Sequence, residues 1–302
     1  MRLLAMTALA TLGLSSAVLA ETVVIPTAQG EVSLEAAPGR VAVYDMAALD
    51  TLVALGVTPA ATIERVTVPA LAEAVAGAER VGTLFEPDLE ALAGVGPDLI
   101  IVGGRSAAQL QAVSQVAPAI DMTLEEDLMA SAKARIAGYG QLFRREVEAE
   151  ALTGELEAAL DRLSAASEGK GRALVVLTNG TRMSAYGAGS RFGWIFDATA
   201  LEEAAPGLDE ATHGQAITHE FIAEVNPDWL IVVDRSSAIG EEGQGAEATL
   251  RSGLVEQTTA WSQGQVVNLD PGAAYISAGG FGAMMTLIGQ LTEALEGAET
   301  HS

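Results

Sequence analysis

The chain has 302 residues, 49% of them hydrophobic, with 40 acidic residues against 16 basic ones and a formal net charge of −24. The hydrophobic content excludes disorder as the main state, and the acidity excludes nucleic-acid binding, which needs a basic surface. The chain has no cysteine, which excludes disulfides, thiolate metal sites and a lipidated N-terminal cysteine. The length is sufficient for two domains of ordinary size.

The first twenty residues are a predicted secretory signal peptide. Arg2 supplies a positive charge, residues 3–18 are almost wholly apolar or small, and Ala20 ends a small-residue cleavage pattern. A membrane anchor is less favoured, because about sixteen apolar residues suit a signal peptide better than a bilayer span. We therefore expect a soluble, exported protein in a periplasm, without a lipid anchor.

Strand and helix patterns alternate after the signal peptide. An Ala-Gln-Gly turn between residues 22–26 and 31–34 predicts a β-hairpin. Further strands are predicted at 40–43, 57–60, 81–83 and 119–122, and helices at 46–55 and at 106–116, the latter capped by Ser106. Asp88 is a predicted N-cap of another helix. This alternation predicts a parallel sheet in an N-terminal lobe, residues 21–126.

One sixteen-residue stretch occurs twice, at a fixed offset of 130 residues. Residues 90–105 read EALAGVGPDLIIVGGR, and residues 220–235 read EFIAEVNPDWLIVVDR. Each copy predicts the end of a helix, a Pro-Asp turn, a buried parallel strand and an arginine just past the strand. In open α/β sheets ligands bind beyond the carboxyl ends of strands, which is where Arg105 and Arg235 should lie.

Residues 127–168 separate the two copies, contain no proline and carry leucines near helical spacing. They predict one long helix, with a short helix before it as an option, that connects the two lobes. The C-terminal lobe, 169–302, has predicted strands at 173–177, 182–186 and 265–269 and helices at 194–198 and 280–295. Its loop GAGSRFG (187–193) lacks the lysine of a P-loop, so its glycines indicate close backbone approach, and Arg191 is its candidate functional residue.

Loops at the predicted strand ends carry five candidate site residues: Arg105, Arg191, Arg235, His213 and Tyr275. Three guanidiniums suit an anionic planar ligand, and imidazole with phenolate suits Fe(III). Each residue taken singly has an ordinary structural explanation. In particular, an arginine after a strand usually pairs with an aspartate, and Asp234 and Asp270 are available. Only the common location of the five residues argues for a site.

Four segments resemble the class III periplasmic substrate-binding proteins of ABC importers, and especially the branch that binds ferric catecholate siderophores. They read VGTLFEPDLEALAGVGPDLIIVGGR, GSRFGWIFD, THGQAITHEFIAEVNPDWLIVVDR and DPGAAYISAGG, and with the linker they cover nearly the whole mature chain. The resemblance implies an α/β fold with two Rossmann-like lobes joined by a single long linker helix. It also implies a protein that captures a ligand and performs no chemistry; we expect a monomer.

The resemblance assigns roles to the five candidate residues. Arg105, Arg191 and Arg235 match the arginines that bind the anionic catecholate oxygens. His213 and Tyr275 match the iron ligands that complete six-fold coordination when a tetradentate siderophore leaves two positions open. In the turn before Tyr275 the chain has Gly-Ala-Ala where the branch often carries aromatics, so the pocket is expected to be wider or less aromatic.

The repeated glutamates, Glu90 and Glu220, match a pair in that family, one per lobe. Their implied role is to dock onto arginines of the inner-membrane ABC permease. A two-lobed protein that meets a two-fold symmetric partner needs one contact on each lobe. This gives the repeated glutamate a physical reason.

Two other functions stay open at this stage. The same fold would also suit haem, cobalamin or a hydroxamate siderophore, and haem would use the histidine or the tyrosine as an axial ligand. An exported metalloenzyme would have to use His213, His219 and Glu220, whose spacing does not match a helical metal site. The favoured prediction is a non-enzymatic protein with no intrinsic cofactor that carries Fe(III) as a siderophore complex.

Overall fold

The computed structural model describes residues 21–208, 213–241 and 243–298. The predicted signal peptide, 1–20, lies outside the described residues. The described chain forms two lobes, each built around its own sheet, and two consecutive helices connect the lobes. In this part of the chain no helix is both long enough and apolar enough to cross a membrane.

The N-terminal lobe has a parallel sheet, as the β-α alternation predicts. The described strands are β1 (Thr22–Thr27), β2 (Gly30–Glu35), β3 (Val41–Val43), β4 (Ala61–Thr62), β5 (Glu79–Arg80), β6 (Leu99–Val102) and β7 (Ala119–Asp121). The helices are α1 (Met46–Ala54), α2 (Pro69–Ala74), α3 (Leu89–Val95) and α4 (Leu110–Val113). β1 and β2 form the predicted antiparallel hairpin, and the sheet order is β5-β4-β3-β6-β7. Asp88 caps α3 as predicted, accepting from the backbone N–H groups of Glu90 and Ala91.

Two helices connect the lobes, α5 (Leu128–Phe143) and α6 (Glu146–Ser167). The long linker helix is α6, with 22 residues, but the helix before it has 16 residues and is not short. The helices separate at Arg144, which ends α5 in the left-handed conformation at φ 54°. α5 packs on the N-terminal lobe, whereas α6 packs against the last helix of the chain.

The C-terminal lobe repeats the central part of this arrangement. Its described strands are β8 (Arg172–Asn179), β9 (Arg182–Tyr186), β10 (Glu202–Glu203), β11 (Gln215–Ile217), β12 (Trp229–Asp234) and β13 (Val266–Asn268). Its helices are α7 (Trp194–Asp197), α8 (His219–Val225), α9 (Arg235–Ile239), α10 (Ala246–Leu250), α11 (Thr259–Ser262) and α12 (Phe281–Gly297). The sheet order is β11-β9-β8-β12-β13, with β9 and β11 antiparallel to their neighbours and β10 added beside β8.

The repeated stretch occupies equivalent places in the two lobes. β6 lies between β3 and β7, and β12 lies between β8 and β13, in both cases with parallel pairing. The preceding helices α3 and α8 end at Gly96 and Asn226, both left-handed, directly before the two Pro-Asp turns. The left-handed residue turns the chain out of the helix and proline prevents its continuation. Each lobe therefore presents the same helix–turn–strand unit at its centre.

Some predicted elements of the N-terminal lobe are displaced. The strands expected at 57–60 and 81–83 lie instead at 61–62 and 79–80, and pairs of two residues are too short to leave a periodic pattern. The helix expected at 106–116 is a 3₁₀ turn, Gly104–Gln109, followed by α4. Ser106 does not cap it from outside, because its hydroxyl bonds back to the N–H and carbonyl of Gly103, both at 3.1 Å. This turn directs Arg105 toward the other lobe.

The last helix, α12, belongs in sequence to the C-terminal lobe but packs against α6 and α1. Its first turn is capped from the other lobe, since Asp50 accepts from the backbone N–H of Ala283 at 2.8 Å. The Thr51 hydroxyl accepts from the N–H of Phe281 at 3.2 Å. A cap supplied by another helix satisfies donors that the helix itself cannot pair. These contacts join the two lobes beneath the cleft.

Candidate ligand-binding cleft

Tyr275 lies at the centre of the candidate site. A short π-helical turn, Gly272–Ile276, carries it between β13 and α12. The carboxylate of Asp270 holds the start of this turn by accepting from the N–H of Ala273 at 2.7 Å. The turn therefore fixes the tyrosine at the edge of the sheet where the parallel strands end.

The three predicted arginines converge on this one tyrosine. The guanidinium carbons of Arg105, Arg191 and Arg235 lie 4.7, 4.6 and 5.6 Å from the centroid of the Tyr275 ring. Arg105 donates to the Tyr275 carbonyl oxygen at 2.7 Å, and Arg191 reaches the same oxygen at 3.4 Å. Arg235 donates from Nε to the phenol oxygen at 3.0 Å. Residues 170 positions apart in the chain thus form one cationic cluster.

Each arginine comes from a different structural element at a strand end. Arg105 lies in the 3₁₀ turn after β6, and Arg235 is the first residue of α9 after β12. Arg191 lies in the glycine-rich loop before α7. A Cβ on Gly193 would collide with the carbonyl oxygen of Ala188, so this loop requires glycine for the close backbone approach that its sequence indicates.

No carboxylate in the described parts of the chain forms an ion pair with any of the three arginines. The aspartates that offered an ordinary explanation have other partners. Asp234 caps α9 through the N–H of Ser237, and Asp270 accepts from Ala273. Neighbouring guanidiniums repel one another, and the Tyr275 ring and carbonyl offset only part of that repulsion. The cluster is therefore suited to an anion.

The cluster changes the acidity of Tyr275. Partial burial would raise the pKa of its phenol, but the hydrogen bond from Arg235 and the charges of all three arginines hold the pKa below the usual value. Burial lowers the pKa of Arg105, and the other two arginines lower it further against the influence of Tyr275. Arginine nevertheless stays charged at any ordinary pH. Hard trivalent metal ions bind phenolate rather than phenol, and the arginine cluster favours the phenolate form of Tyr275.

The cluster opens into a cavity of about 430 Å³ between the lobes. Its lining includes Arg105, Arg235 and Tyr275 and a set of apolar side chains from both lobes: Met46, Ile63, Leu84, Phe85, Ile239 and Ile276. This volume lies in the range of small-molecule sites. The Phe85 side chain is 62% exposed although it is aromatic. The cavity therefore combines a basic end with an apolar wall.

A fourth arginine, Arg65, also lines the cavity, and the sequence analysis missed it. It follows the two-residue strand β4 in the stretch IERVTVP, which has no glycine-rich loop or repeat to single it out. Its guanidinium lies against the C-terminal lobe, because a Cβ on Gly240 would collide with its Nη2 atom. The exposed arginine is the one positive charge in this loop.

A groove of about 790 Å³ between α6 and α12 is larger than the cleft. Its arginine, Arg162, is already paired with Glu296, with distances of 2.9 and 2.6 Å. The remaining lining is mostly small or aliphatic. The cleft is therefore the better candidate for an anionic ligand.

His213 is exposed and lies just before β11 of the C-terminal lobe. Among the described residues, no hydrogen bond or ring contact joins it to Tyr275 or to the three arginines. The neighbouring Gly214 passes over the ring of Tyr186, where a Cβ would lie 2.8 Å from the ring carbon Cζ. Burial raises the pKa of Tyr186, which also senses the charges of Arg191 and Tyr275. The backbone thus brings His213 to the side of the cleft, and its role as an iron ligand stays a prediction.

In the metalloenzyme alternative, one candidate ligand already uses one of its two ring nitrogens. The Nε2 atom of His219 lies 2.8 Å from the carbonyl oxygen of Thr249, so this ring nitrogen is already occupied. Within the described residues no group of three or more His, Asp or Glu side chains could hold a metal ion. These observations do not favour the metalloenzyme alternative.

Glu90 and Glu220 occupy equivalent positions in the two lobes. Each is the second residue of its helix, α3 or α8, and both side chains are exposed. Hydrogen bonds from Thr218 and from the helix N-terminus lower the pKa of Glu220, and His219 adds a smaller effect. Each helix precedes a parallel strand and runs back along it, so its N-terminus lies near the edge of the sheet that faces the cleft. The two carboxylates are therefore surface groups on the two sides of the cleft.

The fold and the cleft define a two-lobed binding protein, and comparison with known families agrees. The periplasmic binding protein family matches residues 41–273. The chain belongs to this family.

Three relatives are similar to this chain over most of its length. The petrobactin-binding protein YclQ of Bacillus subtilis is 30% identical over 86% of this chain and 83% of its own, and its crystal structure superposes with a TM-score of 0.86. The ferric-anguibactin-binding protein FatB of Vibrio anguillarum is 28% identical over 88% of this chain and 85% of its own. The crystal structure of the catecholate-siderophore-binding protein VctP of Vibrio cholerae is 30% identical, covers 90% of this chain and 99% of its own, and has a TM-score of 0.84.

Proposed function

We propose that this protein captures an Fe(III)–siderophore complex of the catecholate type in the periplasm and delivers it to an ABC importer permease. The observation that carries the proposal is the convergence of Arg105, Arg191 and Arg235 on Tyr275, with no carboxylate of the described residues paired to them. A ferric catecholate complex is anionic and planar at its chelating groups, which suits three forked cations. The three relatives above are named for binding petrobactin, ferric anguibactin and a catecholate siderophore.

Tyr275 and His213 complete the iron coordination in this proposal. A bis-catecholate supplies four oxygens and leaves two positions on the iron open. The lowered pKa of Tyr275 supports a phenolate at one of them. His213, at the side of the cleft, supplies the second iron ligand. Its surroundings change when the complex binds.

Delivery depends on the two exposed glutamates. Glu90 and Glu220 have the same position in each lobe and carry single negative charges on the cleft side of the molecule. A permease with two equivalent basic sites would contact both at once. The ligand itself does not need either carboxylate.

The deciding experiment is a titration of the mature protein with the Fe(III) complex of a bis-catecholate, followed by tryptophan fluorescence and by the visible spectrum. All three tryptophans lie in the C-terminal lobe, and Trp194 follows the loop of Arg191. We expect saturable quenching and a shifted charge-transfer band. Arg105→Gln should weaken binding by at least about tenfold, the loss of one charge-assisted contact.

Arg182→Gln is the matched control, because Arg182 is exposed, lies outside the cavity and carries the same charge. It should leave the affinity within about twofold. If folded wild-type protein gives no response, the catecholate proposal is wrong. Titrations with haem, cobalamin and a ferric hydroxamate then identify the ligand, and a Soret band would indicate haem.

A further inference from the structure

Arg65 is a cation of the cleft that does not belong to the arginine cluster around Tyr275. It lines the same cavity as Arg105, Arg235 and Tyr275. The guanidiniums over the Tyr275 ring are those of the three clustered arginines, and Arg65 is not among them. It therefore occupies a different part of the cavity.

Arg65 also lacks a hydrogen-bonding or charged partner within the part of the chain that the structure describes, although the chain has 40 acidic residues against 16 basic ones. Its guanidinium nevertheless has a defined neighbour, because it lies against Gly240 of the opposite lobe. An unpaired arginine in contact with both lobes and facing a cavity is suited to an anion that enters the cavity.

Apolar side chains form most of the remaining cavity wall. Ile63, Leu84 and Phe85 come from the N-terminal lobe, and Ile239 and Ile276 come from the C-terminal lobe. A ligand that reaches both the clustered arginines and Arg65 must lie along these side chains. Such a ligand has an anionic chelating end, an apolar connecting chain and a second anionic group.

We propose that Arg65 forms a second anion subsite, which binds a carboxylate carried on the connecting chain of the siderophore, away from the iron. This inference rests on the proposed function and specifies its substrate class. A carboxylate fits best because its two oxygens match the planar fork of a guanidinium. Arg65 would then select among ferric catecholates that share the same chelating groups.

The test compares two Fe(III) complexes that differ only by this carboxylate. One chelator is bis(2,3-dihydroxybenzoyl)lysine, and the other is bis(2,3-dihydroxybenzoyl)-1,5-diaminopentane, the same molecule without the carboxyl group. Affinities are measured by fluorescence quenching at fixed ionic strength. We expect wild-type protein to bind the lysine complex on the order of tenfold more tightly, a difference of about 1.4 kcal/mol.

Arg65→Gln should remove this preference by weakening only the lysine complex, by roughly tenfold, with the diamine complex changed less than about twofold. Arg65 is exposed, so the variant should keep the thermal transition of the wild type. Arg182→Gln removes the same charge outside the cavity and should keep the preference. This control separates a local contact from a general change in the charge of the protein.

The outcomes that overturn the inference are distinct. Equal binding of both complexes by the wild type, or equal weakening of both by Arg65→Gln, excludes a carboxylate subsite and leaves the proposed function intact. Failure of the wild type to bind either complex contradicts the proposed function and this inference together. The diamine complex, which lacks the carboxylate, distinguishes these two cases.

Discussion

At the scale of single residues, Tyr275 holds the candidate site together. Its carbonyl oxygen binds Arg105 at 2.7 Å and Arg191 at 3.4 Å, while its phenol oxygen accepts from Arg235 at 3.0 Å. Substitution by phenylalanine removes only the hydroxyl group and keeps the backbone carbonyl that two arginines bind. Tyr275→Phe therefore tests the phenol without dispersing the whole cluster.

The chain has four tyrosines, and their environments predict an order of ionisation. Burial raises the pKa of Tyr44, Tyr139 and Tyr186. The arginine cluster lowers the pKa of Tyr275 against the opposing effect of burial. Ultraviolet titration of the ligand-free protein should thus show one phenolate forming below the usual tyrosine pKa near 10. That component should be absent from Tyr275→Phe.

Arg235→Gln supplies the control for the cause of this shift. It keeps the phenol but removes the hydrogen bond and one positive charge, so the pKa of Tyr275 should rise. If the early component persists in Tyr275→Phe, it belongs to another residue and the interpretation of the cluster is wrong.

The effect of losing an iron ligand on affinity should depend on how many coordination positions the siderophore already fills. His213→Ala and Tyr275→Phe should each weaken a ferric bis-catecholate by about tenfold or more, because the iron then keeps an unfilled position. A ferric tris-catecholate fills all six positions and should lose much less. Affinities of both complexes are measured by fluorescence quenching. Equal losses for the two complexes would exclude a ligand role for either side chain.

At the scale of secondary-structure elements, the cap of α12 carries a buried charge. Asp50 is 9% exposed and accepts from Ala283, and burial raises its pKa to about 6 in spite of backbone hydrogen bonds from Ala283 and Gly282. The unfolded chain has an ordinary aspartate pKa near 4. The folded state therefore binds a proton more tightly, and this stabilisation decreases as the pH rises from about 4 to about 6.

The Asp50→Asn variant has no titratable group at this position, so comparison with it isolates this effect. The free energy of unfolding of the wild type relative to Asp50→Asn should fall by at most about 3 kcal/mol between pH 4 and pH 6, and stay level above pH 7. Asp50→Ala removes the cap itself and should cost about 1–2 kcal/mol at pH 7. Chemical denaturation at a series of pH values measures both. If the difference in free energy of unfolding between wild type and Asp50→Asn stayed constant across this pH range, the raised pKa of the buried Asp50 carboxyl would be wrong.

The elements that the sequence predicts correctly are those with a local pattern. The apolar runs of β6 and β12, the Pro-Asp turns and the cap of Asp88 all follow from neighbouring residues. β4 and β5 have two residues each and leave no periodicity. The break at Arg144 is equally invisible in the sequence, because arginine, unlike glycine or asparagine, does not indicate the left-handed conformation.

The residues of the candidate site also divide into those that a local sequence pattern marks and those that it does not. Arg105, Arg191 and Arg235 could be proposed because a repeat or a glycine-rich loop marks each of them. Arg65 lies in an unremarkable stretch, and only folding brings it against Gly240. Asp50 likewise has its partner 233 positions along the chain, a contact that no local pattern encodes.

At the scale of the whole molecule, capture and delivery should be separable. If Glu90 and Glu220 dock onto the permease as proposed, Glu90→Ala combined with Glu220→Ala should abolish siderophore-dependent uptake in cells, because each lobe would lose its charged contact. The affinity of the purified protein for the ferric bis-catecholate should stay within about twofold, since exposed charges contribute little over a distance.

Glu31→Ala combined with Glu293→Ala is the matched control. Both residues are exposed, lie on other surfaces and remove the same total charge. Uptake should persist in this variant. A large loss of ligand affinity in the Glu90 and Glu220 variant would place that pair in the cleft instead of at the permease.

The contact of α12 with α1 has a consequence for how the chain is made. The N–H of Ala283 and the carboxylate of Asp50 are separated by 233 residues. The N-terminal lobe therefore acquires this partner only after residue 283 has been synthesised. Contacts between such distant segments slow folding, since a long loop must close before they form. A nascent chain truncated before residue 281 should have an N-terminal lobe with α1 uncovered, and such a chain remains open to proteases and chaperones.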